Sequence, residues 1–149
     1  EYNEAIIYSD YGHHPTEVRE TMKMVRELYP DHRVVLVYQP HQHNRTKNLF
    51  KEFVDVLSVA RMDVLVMNGI YDVAGREEDE DQDVSALKLL GEINKRISPP
   101  HHGFETHYTA TLDETEEWVR ENTKKDDVVV IMGAGDIDDV ARRLIKKET

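Results

Sequence analysis

The chain of 149 residues contains no cysteine. Disulfides, thiolate metal sites and cysteine nucleophiles are therefore excluded, and a reducing compartment is compatible with the composition. No apolar run approaches the roughly 20 residues of a membrane span, and no signal-peptide pattern is visible, so no membrane association is expected. Cationic excess is also lacking. Nineteen Lys and Arg against 30 Asp and Glu give a net charge of −11. Affinity for DNA or RNA rests largely on phosphate contacts by Lys and Arg, so no nucleic-acid partner is expected. There is no GxxxxGK[ST] loop to cradle the β and γ phosphates of ATP. There is no GxSxG elbow and no evident nucleophile with its base. An enzyme acting alone is hard to build from these residues. An initiating Met is missing too. The chain opens at "EYNEAIIYSD", almost directly in a strand, as a piece of a longer protein or a processed chain would.

What is present alternates. "EAIIYS" reads as a strand. Val18, Met22, Val25 and Leu28 then recur at helical spacing behind Pro15, which suits a first helical position. "RVVLVYQ" is a buried strand by its continuous β-branched run. Leu49, Phe50, Phe53, Val54 and Leu57 mark a helix from about Thr46 to Ala60, and "MDVLVMNG" is a third strand. "VSALKLLGEINKRI" is a helix closed by "SPP", "FETHYTA" a short strand, and "DETEEWVREN" a helix with Asp113 and Glu116 spaced as a capping box. "DDVVVIMGAG" is the last strand, and Asp136 to Lys147 the last helix, with Asp136 as its cap. The methionines and Trp118 read as core or core edge. Strand and helix in regular alternation predict one α/β domain over residues 1–149. It is Rossmann-like and three-layered, with a mostly parallel sheet covered by helices on both faces.

In such sheets ligands bind beyond the carboxyl ends of the strands, and the polar clusters fall there. "SDYGHHP" follows the first strand. Asp10 can accept hydrogen bonds from ligand hydroxyls, Gly12 permits close backbone approach, and His13 and His14 can donate to an anion or cap the helix. "QPHQHNRT" follows the second strand and offers His41, His43 and Arg45, the arginine being a fork for carboxylate or phosphate. "NGIYDVAG" follows the third strand. "GAGD" follows the last, as a phosphate-binding turn or a close-packing one. Neither His-His nor His-x-His spacing specifies a metal, and no HExxH is present, so no metal site is assigned. His101, His102 and His107 receive no role. "REEDEDQD", with six acids in eight residues, reads as a solvated loop.

Read together, "DYGHHPTEV", "VVLVYQPHQHNRTKNLFKEFVDVLSVAR", "IYDVAGRE" and "VVVIMGAGDI" resemble, in order and over nearly the whole chain, the C-terminal domain of the Mur ligases. The "QPH…RT" stretch favours the alanine-adding branch over the murein-peptide recycling one. The resemblance implies the third domain of a cytoplasmic, ATP-dependent amide-forming ligase of peptidoglycan synthesis, and so of cell-wall growth, shape and division. The N-terminal UDP-sugar domain and the central domain, with its phosphate loop and the ligands of Mg2+, would be absent here. ATP would phosphorylate the carboxylate of UDP-N-acetylmuramate, and the amine of L-alanine would attack the acyl phosphate. By the same resemblance Asp10 and His13 would contact the nucleotide, Asp10 at the ribose. Tyr11, His41 and Arg45 would face the amino acid, with Arg45 on its carboxylate. No catalytic residue is expected on this domain alone. The family usually has "QPHRYTRT", so Gln42 stands in place of an arginine and His43 and Asn44 in place of tyrosine and threonine. "YDVAGRE" departs from the more usual "YPAGE". Two other readings stand beside this one: a free-standing Rossmann-like module that binds a nucleotide or anion without catalysis, and an interaction domain using its acidic loop.

Overall fold

A computed structural model describes residues 2–12, 14–40, 48–69, 86–97 and 104–146. Among the described residues five strands, β1 (Ile6–Asp10), β2 (Val34–Tyr38), β3 (Val64–Asn68), β4 (Glu105–Thr109) and β5 (Val128–Met132), alternate with five helices. These are α1 (Pro15–Leu28), α2 (Phe50–Val59), α3 (Ala86–Ile97), α4 (Leu112–Asn122) and α5 (Asp138–Lys146). The strands form one sheet in the order β1-β5-β2-β3-β4, and every pairing is parallel. β2, β3 and β5 are buried throughout, which is why they read as unbroken apolar runs.

Successive strand residues point to opposite faces, and two cores result. Leu36, Tyr38, Leu65, Met67, Val130 and Met132 pack under α1, α2 and α3 through Met22, Phe53, Leu57, Leu89 and Ile93. Val35, Val37, Val66, Val129 and Ile131 pack under α4 and α5 through Val119, Val140 and Leu144. The α/β three-layer architecture expected from the alternation is the one present.

This arrangement determines where a ligand crevice opens. The chain leaves β1 and β2 toward the first face, through α1 and α2. It leaves β5, which lies between them, toward the opposite face, through α5. Adjacent strands whose connections depart in opposite directions make a topological switch point, and the crevice opens at their carboxyl ends. Asp10 closes β1 there and Gly133 follows β5.

Several boundaries differ from the sequence expectation. The α4 cap is Thr111, whose hydroxyl accepts from the Glu114 amide at 3.1 Å, while Glu114 returns a carboxylate oxygen to the Ala110 amide at 2.8 Å. Asp113 and Glu116 instead both pair with Arg143 from α5. Asp136 is not the side-chain cap of α5. The helix begins at Asp138, and the Asp136 carboxylate accepts from Gln39 Nε2 at 2.8 Å, a tertiary contact that outbids the local one. Leu28, the fourth residue in the α1 apolar series, is 60% exposed at the helix end, and Met24 is 49% exposed, outside both cores. β1 starts only at Ile6, because Asn3 and Glu4 turn with positive φ and bring Tyr2 back against Ala5. Residues 46 and 47, the expected start of the second helix, lie outside the described residues, as does the acidic stretch 76–83.

Candidate functional site

Asp10 is half-buried at the tip of β1, and both carboxylate oxygens have donors. Oδ1 accepts from the Gly12 amide at 2.8 Å and Oδ2 from the Thr21 hydroxyl at 3.1 Å. The first bond folds the chain back on itself directly after the strand, the local turn that aspartate favours. Gly12 leaves room at this turn: a Cβ there would stand 3.3 Å from both Asp10 Oδ1 and Glu17 Cβ, and 2.7 Å from the movable end of the Met132 side chain. An ionised carboxylate has about four acceptor sites, so two remain available to a ligand. Tyr11, next in the chain, is 62% exposed at the same edge, open to a ligand or partner domain. α1 starts here as well. Pro15 occupies its first position and His14 caps it, Nδ1 accepting from the Thr16 amide at 3.1 Å. His14 thus serves the helix. His13, His41 and Arg45 lie outside the described residues, so of the five expected site residues Asp10 and Tyr11 are described, side by side.

The turn after β5 closes the other wall of the crevice. The Gly133 amide donates to Asp10 O at 3.1 Å, and the Gln39 amide donates to Met132 O at 3.0 Å, so the ends of β1, β5 and β2 are stitched together. A Cβ on Gly133 would meet Ile137 Cγ2 at 2.7 Å and the Gln39 carbonyl oxygen at 3.1 Å. This is a close-packing turn, the plainer of the two expectations for "GAGD". Ser9 donates to Asp138, which also pairs with Arg142 at 2.8 Å, holding the start of α5 against β1.

Beneath the edge runs a buried polar network that the sequence reading did not identify. Gln39 Nε2 donates to Asn68 Oδ1 at 2.9 Å and to Asp136 Oδ1, and Gln39 Oε1 accepts from the Ile137 amide at 3.3 Å. Asn68 Nδ2 reaches Thr115 Oγ1 at 2.8 Å and the carbonyl oxygens of Thr109 and Thr111, each at 3.2 Å. Thr109 and Thr115 share a hydroxyl contact of 2.7 Å. Gln39, Asn68, Thr109 and Thr115 are all buried, yet each has partners. A network satisfied in this way fixes the loops that spring from β2, β3, β4 and β5 relative to one another. Its sequence signal was a polar residue ending each apolar strand: Gln39 after "VVLVY", Asn68 after "VLVM".

Elsewhere, His107 on β4 packs against Trp118 with ring centroids 5.1 Å apart and the rings tilted by 45°, which gives this histidine a structural part. Trp118 itself sits at the core edge, as expected. No group of three or more His, Asp or Glu able to hold a metal occurs among the described residues. No helix among them is long and apolar enough to cross a membrane.

Comparison with known proteins follows the same lines. The family model described as "Mur ligase, glutamate ligase domain" matches residues 1–135. Curated relatives from Agathobacter rectalis and Legionella pneumophila, each named UDP-N-acetylmuramate–L-alanine ligase, are 37% identical over 145 residues and 39% identical over 142. These matches cover 97% and 95% of this chain but 29% and 28% of the relatives, so the chain spans less than a third of their length. Among solved structures, the UDP-N-acetylmuramate-alanine ligase of Thermotoga maritima superposes with a TM-score of 0.64 at 23% identity, over 95% of this chain and 26% of that one. A ligase domain from Haemophilus ducreyi superposes with a TM-score of 0.66 at 17% identity, over 99% of this chain and 94% of that one. At those identities the two structures establish the fold. The doubly covered parallel sheet and the family match over residues 1–135 lead to one assignment: this chain belongs to the Mur ligase, glutamate ligase domain family, the C-terminal domain of those ligases.

Proposed function

We propose that the chain is the nucleotide- and amino-acid-binding domain of an ATP-dependent ligase that joins L-alanine to UDP-N-acetylmuramate in peptidoglycan synthesis. The observation that carries this reading is the position of Asp10. Its carboxylate is oriented by two donors and keeps acceptor capacity beside the crevice between β1 and β5, in a chain whose relatives are named as that ligase. Asp10 accepts from the ribose hydroxyls of ATP, and His13 lies near the ribose or phosphates. Tyr11, His41 and Arg45 face the amino acid, Arg45 by a forked contact to its carboxylate.

The longer enzyme supplies an N-terminal domain for the UDP-sugar and a central domain for the phosphates. The described residues do not fit a Mg2+ site, and its ligands are assigned to the central domain. The γ-phosphoryl group passes from ATP to the UDP-N-acetylmuramate carboxylate, releasing ADP. The alanine amine then adds to the acyl carbon, and the tetrahedral intermediate expels phosphate to leave the amide. The part of this domain is to close over the site, bring the amine to the carbonyl and exclude the water that would hydrolyse the acyl phosphate. The enzyme works in the cytoplasm, where its nucleotide substrates are made.

This division of labour makes a prediction that separates a ligase domain from a free-standing nucleotide module. With the phosphate loop and metal on another domain, residues 1–149 alone bind ATP weakly, with a dissociation constant above about 1 mM, equivalent to roughly 4 kcal/mol. Isothermal titration of the chain with ATP and Mg2+ checks it. A micromolar constant would favour the self-sufficient module.

A further inference from the structure

Thr21 stands in the second turn of α1, a position where threonine is a poor helix former. A helical threonine hydroxyl ordinarily bonds back to the carbonyl four residues earlier. Here the Thr21 hydroxyl donates to Asp10 Oδ2 at 3.1 Å, crossing from the helix to the tip of β1. The other oxygen of the same carboxylate is held by the Gly12 amide at 2.8 Å, from the loop between them. The two donors come from separate elements and together fix the plane of the Asp10 carboxylate. With only the Gly12 bond, the group could turn about its last torsion, and a ligand would have to immobilise it on binding. Thr21 is half-buried, and Val18 and Met22 on the same helix anchor it firmly in the first core.

We infer that Thr21 is a positioning residue for the nucleotide: it aims the Asp10 carboxylate at the crevice and acts on substrate only through Asp10. The inference rests on the reading of Asp10 as a nucleotide contact. It does not make Thr21 a catalytic residue, since its hydroxyl is committed to Asp10 rather than to substrate.

The test uses the full-length protein that contains this chain, with steady-state kinetics in ATP. Thr21→Val keeps the shape and removes the donor. It raises KM for ATP about 3- to 10-fold, the range expected when one side chain must be ordered on binding, and leaves kcat within about twofold. Thr21→Ser restores the donor and the KM. In the Asp10→Ala background, which itself raises KM for ATP, Thr21→Val has no further effect, because the group through which it acts is gone. Three results overturn the inference. An unchanged KM in Thr21→Val, with a lowered melting temperature, would make the hydroxyl a structural tie while leaving Asp10 as a nucleotide contact. An effect that adds in full to that of Asp10→Ala would mean Thr21 acts by another route. An Asp10→Ala variant with unchanged KM would remove the nucleotide reading of this edge, and the role of Thr21 with it.

Discussion

Asn68→Asp is expected to lower the unfolding free energy by about 3–5 kcal/mol at pH 7, the cost of an uncompensated charge in a buried site. Asn68 is 2% exposed, and its Nδ2 donates to the Thr109 and Thr111 carbonyl oxygens and the Thr115 hydroxyl. A carboxylate has almost the same shape but cannot donate. It would set negative charge against two carbonyl oxygens, with Asp136 already one glutamine away across Gln39. At roughly 2–4 °C per kcal/mol for a domain of this size, the melting temperature falls by about 6–20 °C. The sign with pH follows from linkage. Burial raises the pKa of the introduced carboxyl above its unfolded value of about 3.9, so the native state binds the extra proton over that window. The penalty relative to the parent is full above the raised pKa and shrinks as pH falls toward the unfolded value. Asn68→Leu, which adds no charge, loses about 1–3 kcal/mol from unpaired neighbours, and its deficit does not change with pH. Denaturant unfolding of both variants at several pH values checks the pair. A deficit for Asn68→Asp that stays constant down to pH 4 would mean that the site is wetter than its burial indicates.

The second large effect concerns Arg45. In the proposed ligase, Arg45→Ala raises KM for L-alanine about 10- to 100-fold, because a charge-assisted, forked contact to the carboxylate is worth about 1.5–3 kcal/mol. KM for ATP stays within about twofold. Arg45→Lys recovers only part of the loss, since an ammonium cannot reproduce the fork. The departure "QPHQHNRT" sharpens the expectation. With Gln42 in place of the arginine that the resemblance leads one to expect, one guanidinium fewer is present in this stretch, and in the proposed ligase Arg45 would carry more of the carboxylate recognition. Equal rises in both KM values would instead assign Arg45 to the nucleotide or to the fold of its loop.

Much of the fold was legible because the decisive signals are local. Unbroken runs such as "VVLVY" and "VVVIM" become strands buried on both faces, and Val18, Met22 and Val25 recur at the helical period that places them under one face. The carboxyl-edge rule picked out the loop with Asp10 because it follows an apolar strand, whereas Tyr11 entered through the family resemblance. What was missed depends on tertiary partners. Thr111 and Glu114 satisfy the Thr-x-x-Glu signature as well as Asp113 and Glu116 satisfy an acidic one. The choice went to Thr111 because Arg143, 30 residues from Asp113, engages both Asp113 and Glu116. Asp136 looked like a helix cap, but its carboxylate is taken by Gln39, the residue after β2. Gln39 and Asn68 are polar residues in apolar company, and nothing local says whether such a residue caps a strand, meets water or joins a network. Only the adjacency of β5, β2 and β3 in the sheet, an order unlike the order in the chain, brings their partners together.

In the proposed function this domain completes an alanine-adding ligase. The most direct measurement is phosphate release from ATP by the full-length protein, with UDP-N-acetylmuramate and each of L-alanine, glycine and L-serine. Release is expected to require both the UDP-sugar and an amino acid and to be fastest with L-alanine. Release with a different amino acid would place the specificity change at Gln42 and His43. Absence of release with all three would contradict the ligase assignment.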